Sequence, residues 1–455
     1  MMDKRQPDGR KGVEKGRERR ETARAAVSAR LPGGERVEMI HQREEGRTAF
    51  LVFSDGVWHE ESEVELAGGR LLRPYSSGNS LLEHQVVLFP SWVESYSSDE
   101  ELLADVRAFI HRYVDLSAGF EEIAAHYVLL SWIFDDFDAL PYLRVRGDYG
   151  SGKSRFLQAV GSVAYRPIFA SGASSVSSLF RMIDAFRGTL VLDESDFRAS
   201  DEKAEVTKIL NNGNSRGFPV LRVEQTASKE FNPRAFEVYG PKILATRRYF
   251  EDKALESRCI TEELVQGRIR KDVPLSLPDA FHAEAETLRN KLLLWRFVNA
   301  GRKRREVSIQ PGLEPRVAQV FGPLLSTAHS DEARERIRSR AREVGRELLA
   351  EREGTMEAEL LAVVRDLEKE GQALSVSAIA ERFRDRHGFD YDQRITPRWT
   401  GYILRRRLLL KTRKSHGVFV VPPSELPKLH LLYARYAVGD SGDFGDFATE
   451  PGKSS

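Results

Sequence analysis

Residues 140 to 154, Leu-Pro-Tyr-Leu-Arg-Val-Arg-Gly-Asp-Tyr-Gly-Ser-Gly-Lys-Ser, constrain the chain more than any other stretch. Leu143 and Val145 alternate with Arg144 and Arg146, as a strand requires, and the alternation stops at Gly147. Gly147, Gly150, Gly152, Lys153 and Ser154 then match G-x-x-x-x-G-K-[ST], the phosphate-binding loop. Glycine lets successive backbone N–H groups curl around a phosphate without Cβ clashes, and Ser151 completes the curl. Lys153 is expected to reach the β- and γ-phosphates of ATP, and the Ser154 hydroxyl to ligate Mg²⁺. Phe156, Leu157, Val160 and Val163 continue as a helix whose positive end meets the anion.

A second stretch completes that chemistry. Gly188-Thr-Leu-Val-Leu-Asp193-Glu194 is a short apolar strand ending in two carboxylates. Beside a phosphate loop, Asp193 is expected to hold Mg²⁺ through water, and Glu194 to orient and deprotonate the attacking water. The interval from Lys153 to Asp193 leaves room for a helix, a strand and a helix, supplied by Val160, Phe169-Ala170 and Ser174 to Phe186. Lys208 to Arg222 ends a helix at Asn212-Gly213 and turns into a hairpin carrying Arg216 and Arg222. Phe236 to Thr246 reads as a further strand that places Thr246 between the two carboxylate- and phosphate-bearing strands, with Arg247 and Arg248 following. Ala254 to Ile260 comes one short helix later and contains Ser257-Arg258.

In this order, phosphate loop, Asp-Glu strand, basic hairpin, polar-tipped strand and Ser-Arg, the chain resembles an AAA+ ATPase. Its hairpin resembles that of the superfamily 3 and minichromosome-maintenance helicases of plasmids, phages and mobile elements. The resemblance covers about residues 140 to 262. It implies an ATP- and Mg²⁺-dependent enzyme forming a homo-oligomeric ring, a hexamer, with a single DNA strand in the pore. It further implies that Thr246 is the sensor of the γ-phosphate and Arg258 a finger acting on the neighbouring subunit's ATP. Those helicases end the third strand in Asn, where this chain has Thr246. For Arg258, an ion pair with Glu256 or Glu262 is the structural alternative.

The expected architecture is α/β: a parallel-sheet P-loop core at 140–275 with a helical lid and connector at 276–353. Arg289 or Arg296 in the lid is a candidate second sensor. Residues 1–35, basic and almost without large apolar side chains, are expected to be a disordered tail, solvated or touching nucleic acid. A small β module at 36–92 follows, with an Asp55-Gly56 hairpin turn, then a helical linker at 93–139. Ser98-Asp-Glu-Glu101 is a capping box opening the linker's first helix. His111 and His126 in this linker read as packed or surface histidines rather than ligands.

Residues 354–436 read as a winged helix-turn-helix, with Thr396 capping the third helix and Pro397 in its first turn. Arg398, Arg405, Arg406 and Arg407 lie on the face opposite Trp399, Ile403 and Leu404, and Leu408 to Lys411 with Val418 to Val421 form the wing around Lys414. Arg398, Arg405, Arg406 and Lys414 are the candidate contacts to duplex DNA, with a protein partner as the alternative. Residues 437–455, rich in Gly, Asp and Ser, are expected to be a disordered tail.

Composition bounds the rest. The 455 residues suit two to four domains, and a net charge of +1 means that evidence for nucleic acid must be local. The single cysteine, Cys259, excludes an internal disulfide and a cysteine-based zinc site. The longest apolar stretch, 123–134, is too short for a membrane span and no signal-peptide core precedes it, so the expected location is cytoplasmic. Two functions remain open: a replication helicase or initiator of a mobile element, and an ATP-switched DNA-binding regulator or defence ATPase that does not translocate. On either, Glu194→Gln is expected to bind ATP yet lose hydrolysis, because an amide cannot accept the proton; turnover and nucleotide affinity measured together check this.

Overall fold

The computed structural model describes residues 23–193, 200–225, 231–265, 269–302, 313–353, 355–388, 395–415 and 417–438. It divides into two units, Met1–Arg340 and Ala341–Ser455.

The first unit opens with short strands. These are β1 (Arg24–Ala26), β2 (Ser28–Arg30), β3 (Arg36–Gln42), β4 (Arg47–Ser54), β5 (Val57–Glu61), β6 (Val64–Glu65) and β7 (Leu71–Pro74). Strands β2 to β5 form an antiparallel sheet in that order, and β1-β7-β6 form a second. Asp55 and Gly56 both take positive φ, 49° and 85°, the geometry that a two-residue hairpin turn between β4 and β5 demands. The tail expected over 1–35 gives way to strand at Arg24. Backbone pairing to β7 needs no large side chain, so Ala25 and Ala26 suffice, and Val27 is buried in the module's core.

That core is shared with the central sheet domain. Val37, Met39, Phe50 and Val52 pack with its Ile168 and Phe186. A buried polar cluster fastens the same junction. Glu38 on β3 pairs with Arg166, accepts from Arg296 Nε at 2.7 Å, and accepts from the Tyr165 hydroxyl at 2.9 Å. Arg166 also donates to the carbonyls of Val27 and Phe186 at 2.9 and 3.2 Å. Arg296 completes its donors on Asp135, at 2.9 Å to each oxygen. Burial alone would lower the Arg296 pKa, but Glu38, Tyr165 and Asp135 outweigh it and hold the guanidinium charged.

Helix α1 (Asp99–Tyr113) is capped by Ser98, whose side chain accepts from the Glu101 N–H. Helix α2 (Ala118–Trp132) is buried all round and ends at Trp132, followed by a 3-10 turn over Phe134–Asp136. The central elements are β8 (Tyr142–Arg146), α3 (Lys153–Val163), β9 (Ile168–Ser171), α4 (Val176–Phe186), β10 (Leu190–Asp193), α5 (Ser200–Asn212), β11 (Val220–Gln225), β12 (Phe231–Phe236), β13 (Lys242–Thr246) and β14 (Cys259–Glu263). Five of them make one parallel sheet in the order β14-β8-β13-β10-β9. Both faces are covered, as in other parallel sheets. Arg144, which alternates with the apolar residues of β8, is therefore also fully buried, and its guanidinium pairs with Glu256 and donates to Thr261 at 3.0 Å.

Helix α6 (Ala280–Asn299) packs on α1, α2 and α3. The two arginines considered for a second sensor are both used within this packing: Arg289 donates to the Phe89 and Ser162 carbonyls, and Arg296 joins the Glu38 cluster. Helices α7 (Pro315–Leu325) and α8 (Asp331–Glu353) follow.

The second unit has α9 (Met356–Lys369), α10 (Val376–His387), α11 (Pro397–Tyr402), strands β15 (Arg413–Ser415) and β16 (Val418–Val420), and α12 (Leu426–Arg435). Thr396 caps α11 as expected, and Ser375 caps α10. The hairpin strand begins at Arg413 rather than Leu408, because Leu408 and Leu410 are drawn into the core with Leu361, Ile379 and Phe383.

Removing the anion of the buried cluster leaves two guanidinium groups without their shared counter-charge. Glu38→Gln is expected to lower unfolding free energy by about 3 kcal/mol or more. Glu60→Gln, which loses only the surface pair with Arg47, should change it by less than about 1 kcal/mol. Urea unfolding of both variants measures the difference.

Candidate nucleotide-binding site

The loop expected to hold phosphate lies between β8 and α3. Gly147 opens it, and its N–H donates to the Thr246 carbonyl at 3.2 Å, which pins the loop to β13. Only glycine fits there, since a Cβ would stand 2.6 Å from the Leu264 carbonyl oxygen. Gly150 and Gly152 take φ of 72° and 93°, and Gly152 is the N-cap of α3. Ser151 Oγ donates back to the Asp148 carbonyl at 2.9 Å and closes the turn.

Lys153 is buried at the first turn of α3 and its Nζ donates to the Gly147 and Asp148 carbonyls, each at 2.7 Å. Burial lowers its pKa, Asp193 and Asp148 act the other way, and Arg247 adds to the lowering. The lysine of the loop, the aspartate of β10 and an arginine at the end of β13 thus act on one another. Ser154 is exposed beside Lys153, and Asp193 is half-buried.

Thr246 lies at the carboxyl end of β13, flanked by β8 and β10. It is 2 % exposed, and its Oγ1 has no hydrogen-bond partner among the described residues. Arg247 follows; its guanidinium lies 3.5 Å from the ring centroid of Tyr149 in the loop, and its buried Nε is likewise without a partner among them. Unmet buried polar groups are expensive. Two of them beside an anion-binding loop fit a triphosphate, whose oxygens would accept from both. Magnesium at Ser154 and Asp193 would complete its shell with phosphate oxygens and water, as that ion usually does. An open cleft of about 450 Å³ adjoins the loop, lined by Arg146, Gly147, Asp148, Arg247 and Glu263 among others. The sequence pattern alone gives Arg247 no role; its place directly after a polar-tipped strand is the available signal.

Glu194 lies outside the described residues. Arg258 pairs with neither Glu256 nor Glu262. Its Nη1 donates to the Asn211 carbonyl at 2.9 Å and to Asn211 Oδ1 at 2.6 Å, while its Nε is buried without a partner among the described residues. Glu256 is taken by Arg144, and Glu262 accepts from the Ser117 N–H.

The hairpin of β11 and β12 differs from the basic element expected. Arg216 precedes it, donates to the Phe137 and Asp135 carbonyls and lies over the Tyr239 ring at 4.8 Å. Arg222 on β11 pairs with Glu205 at 2.5 Å and sits 5.3 Å from the Phe180 ring. Among the described residues Phe218, Leu221 and Val223 are exposed as well, and on β12 Arg234 is the exposed basic side chain. In the second unit Arg398, Arg405, Arg406 and Lys414 are all exposed, while Arg407 pairs with Glu357 at 2.8 Å. Among the described residues no helix is long and apolar enough to cross a membrane.

Comparison with protein families finds no match to the chain, and comparison with curated proteins finds none. Among solved structures, the C-terminal region of NrS-1 in its apo A form aligns with a TM-score of 0.36 and 10% identity, over 82% of this chain and 93% of that one. The JCV helicase gives 0.25 and 14%, over 55% and 62%. The Aeropyrum pernix ORC1 protein in complex with DNA gives 0.22 and 15%, over 74% and 97%. These likenesses are distant, and what the site can do is read from its own geometry.

Lys153→Ala is expected to raise the dissociation constant for ATP by about 100-fold, the loss of a charge-assisted contact. Arg247→Ala should raise it about tenfold, and Thr246→Val should leave affinity near wild type but slow turnover. Calorimetric titration with a non-hydrolysable ATP analogue, beside a phosphate-release assay, checks all three.

Proposed function

We propose that the chain is an ATP-hydrolysing AAA+ motor that acts on DNA as a homo-oligomeric ring, in the manner of a replication helicase or initiator. One observation carries this reading: the orphaned Thr246 hydroxyl lies at the end of the strand separating the Lys153 loop from Asp193. Lys153, the loop N–H groups and Arg247 bind and orient the phosphates. Bound Mg²⁺ would neutralise developing charge on the phosphates. Thr246 positions the attacking water or the γ-phosphate, and Glu194 takes the water's proton. The half-buried Arg258, with one nitrogen unmatched, serves the site of the adjacent subunit. Arg398, Arg405, Arg406 and Lys414 meet duplex DNA from the second unit.

A second reading, a nucleotide-driven switch without translocation, draws on a specific observation. Arg216 and Arg222 are committed to partners within the chain, and among the described residues Phe218, Leu221 and Val223 are exposed on and just before β11. A hairpin of that kind suits protein contact better than phosphate contact.

The two readings part on hydrolysis. A motor is expected to show several-fold stimulation of ATP turnover by single-stranded DNA, and a switch to respond only to duplex or to a partner protein. Arg258→Ala mixed with Lys153→Ala should regain part of the activity at mixed interfaces, since a finger in trans contributes ~10³ or more in rate. No recovery in mixtures shown to co-assemble would remove Arg258 from the site. Deleting residues 355–455 should weaken duplex binding and leave basal turnover intact.

A further inference from the structure

We infer that a cleft between the N-terminal strands and α4 is a second nucleic-acid site, one that takes the sugar-phosphate backbone of a single strand without regard to base. The cleft, of about 560 Å³, is bounded by β1 and β2, by α4 and by β12. Six arginines line it: Arg24, Arg30, Arg70, Arg181, Arg187 and Arg234, all exposed. Among the described residues, Asp184 is the one carboxylate in its lining. That carboxylate is already shared, accepting from Arg187 Nη2 at 3.0 Å and from the Glu237 N–H at 3.1 Å, with Arg234 at 3.9 Å.

In a chain of net charge +1, such a concentration of one sign is local and calls for an anion. A cleft of single sign with low-dielectric walls focuses the field and gathers counter-charge. Guanidinium groups match phosphate oxygens in a bidentate fork. Between the arginines the wall is small, with Ala25, Ala26, Ser28 and Ala29, so a backbone can approach closely. The aromatic rings nearby are spent on the protein itself: Tyr75 lies 5.0 Å from Phe186, and buried Phe236 lies 4.7 Å from Phe180. Among the described residues no stacking platform is left for bases, which sets this cleft apart from single-strand grooves that hold bases on aromatic side chains. A sunken cleft admits one backbone, whereas a duplex would meet only its rim. The Lys- and Arg-rich sequence preceding Arg24 joins the chain at this edge.

The site is independent of hydrolysis, so its test does not depend on the motor reading. Fluorescence anisotropy of the full chain, without nucleotide, is read with labelled oligo-dT, a mixed-sequence single strand and the matching duplex. Arg24→Glu with Arg70→Glu is expected to weaken single-strand binding at least tenfold and to flatten its dependence on log salt by about 1 to 2. The two single strands should behave alike. Arg43→Glu with Arg73→Glu makes the same charge change on exposed residues outside the cleft and should weaken binding less than threefold. Should the reversal unfold the protein by circular dichroism, Arg24→Gln with Arg70→Gln carries the same comparison. Equal losses in the two double variants, or wild type that does not bind single strands, would overturn the site. A loss confined to duplex would overturn the assigned partner. ATP binding retained in the cleft variant but lost in Lys153→Ala keeps this outcome separate from the fate of the nucleotide site.

Discussion

The structure of the first unit depends on burying β13 from end to end. All five residues, Lys242 to Thr246, are buried, and only the two ends carry polar side chains that must be answered. At the amino end Lys242 is pulled down to about 7 by burial, with Glu237 opposing weakly, and its Nζ donates to three carbonyls, those of Gly213, Val238 and Gly240. Those carbonyls belong to the turn after α5 and to the segment leading from β12, so Lys242 anchors the base of the hairpin. At the carboxyl end Thr246 has no such answer among the described residues. One end of the strand is satisfied by the protein, and the other, among the described residues, is not.

A strand of five residues spans about 16 Å and, packed between β8 and β10, has little freedom to bend. A displacement at Thr246 would therefore reach the Lys242 end as a shift of the whole strand. Hairpin and phosphate loop lie on a common rigid element although they are far apart along the chain. That connection is available to a motor and to a switch alike, since both need nucleotide state to be felt at a distance.

The site was more legible than its surroundings. Gly147, Gly152, Lys153 and Ser154 have the spacing that a phosphate-binding loop requires, and that spacing is visible in sequence whatever packs around it. The placement of Thr246 between the other two strands followed from the same logic. Arg144, Arg216, Arg222, Arg289 and Arg296 could not be read this way. A guanidinium is equally at home in solvent, on a phosphate or on buried carbonyls, and only the fold decides which. Arg144 meets Glu256, Arg216 meets two carbonyls and Arg296 meets Glu38 because distant segments arrive beside them. The strands at 24–30 were missed for a related reason: small side chains carry no periodic apolar signal, while their backbone still pairs.

The Glu38 cluster has a consequence for how the chain is made. Glu38 and Arg296 are separated by 258 positions in sequence, and Arg166 lies 128 positions from Glu38. At ~5–20 residues per second of synthesis, Glu38 would wait roughly 13 to 50 seconds for Arg296 to be made. During that interval the N-terminal strands hold a carboxylate whose last partner has yet to be made. The module is synthesised ahead of every partner in its cluster and completed only with the last of them.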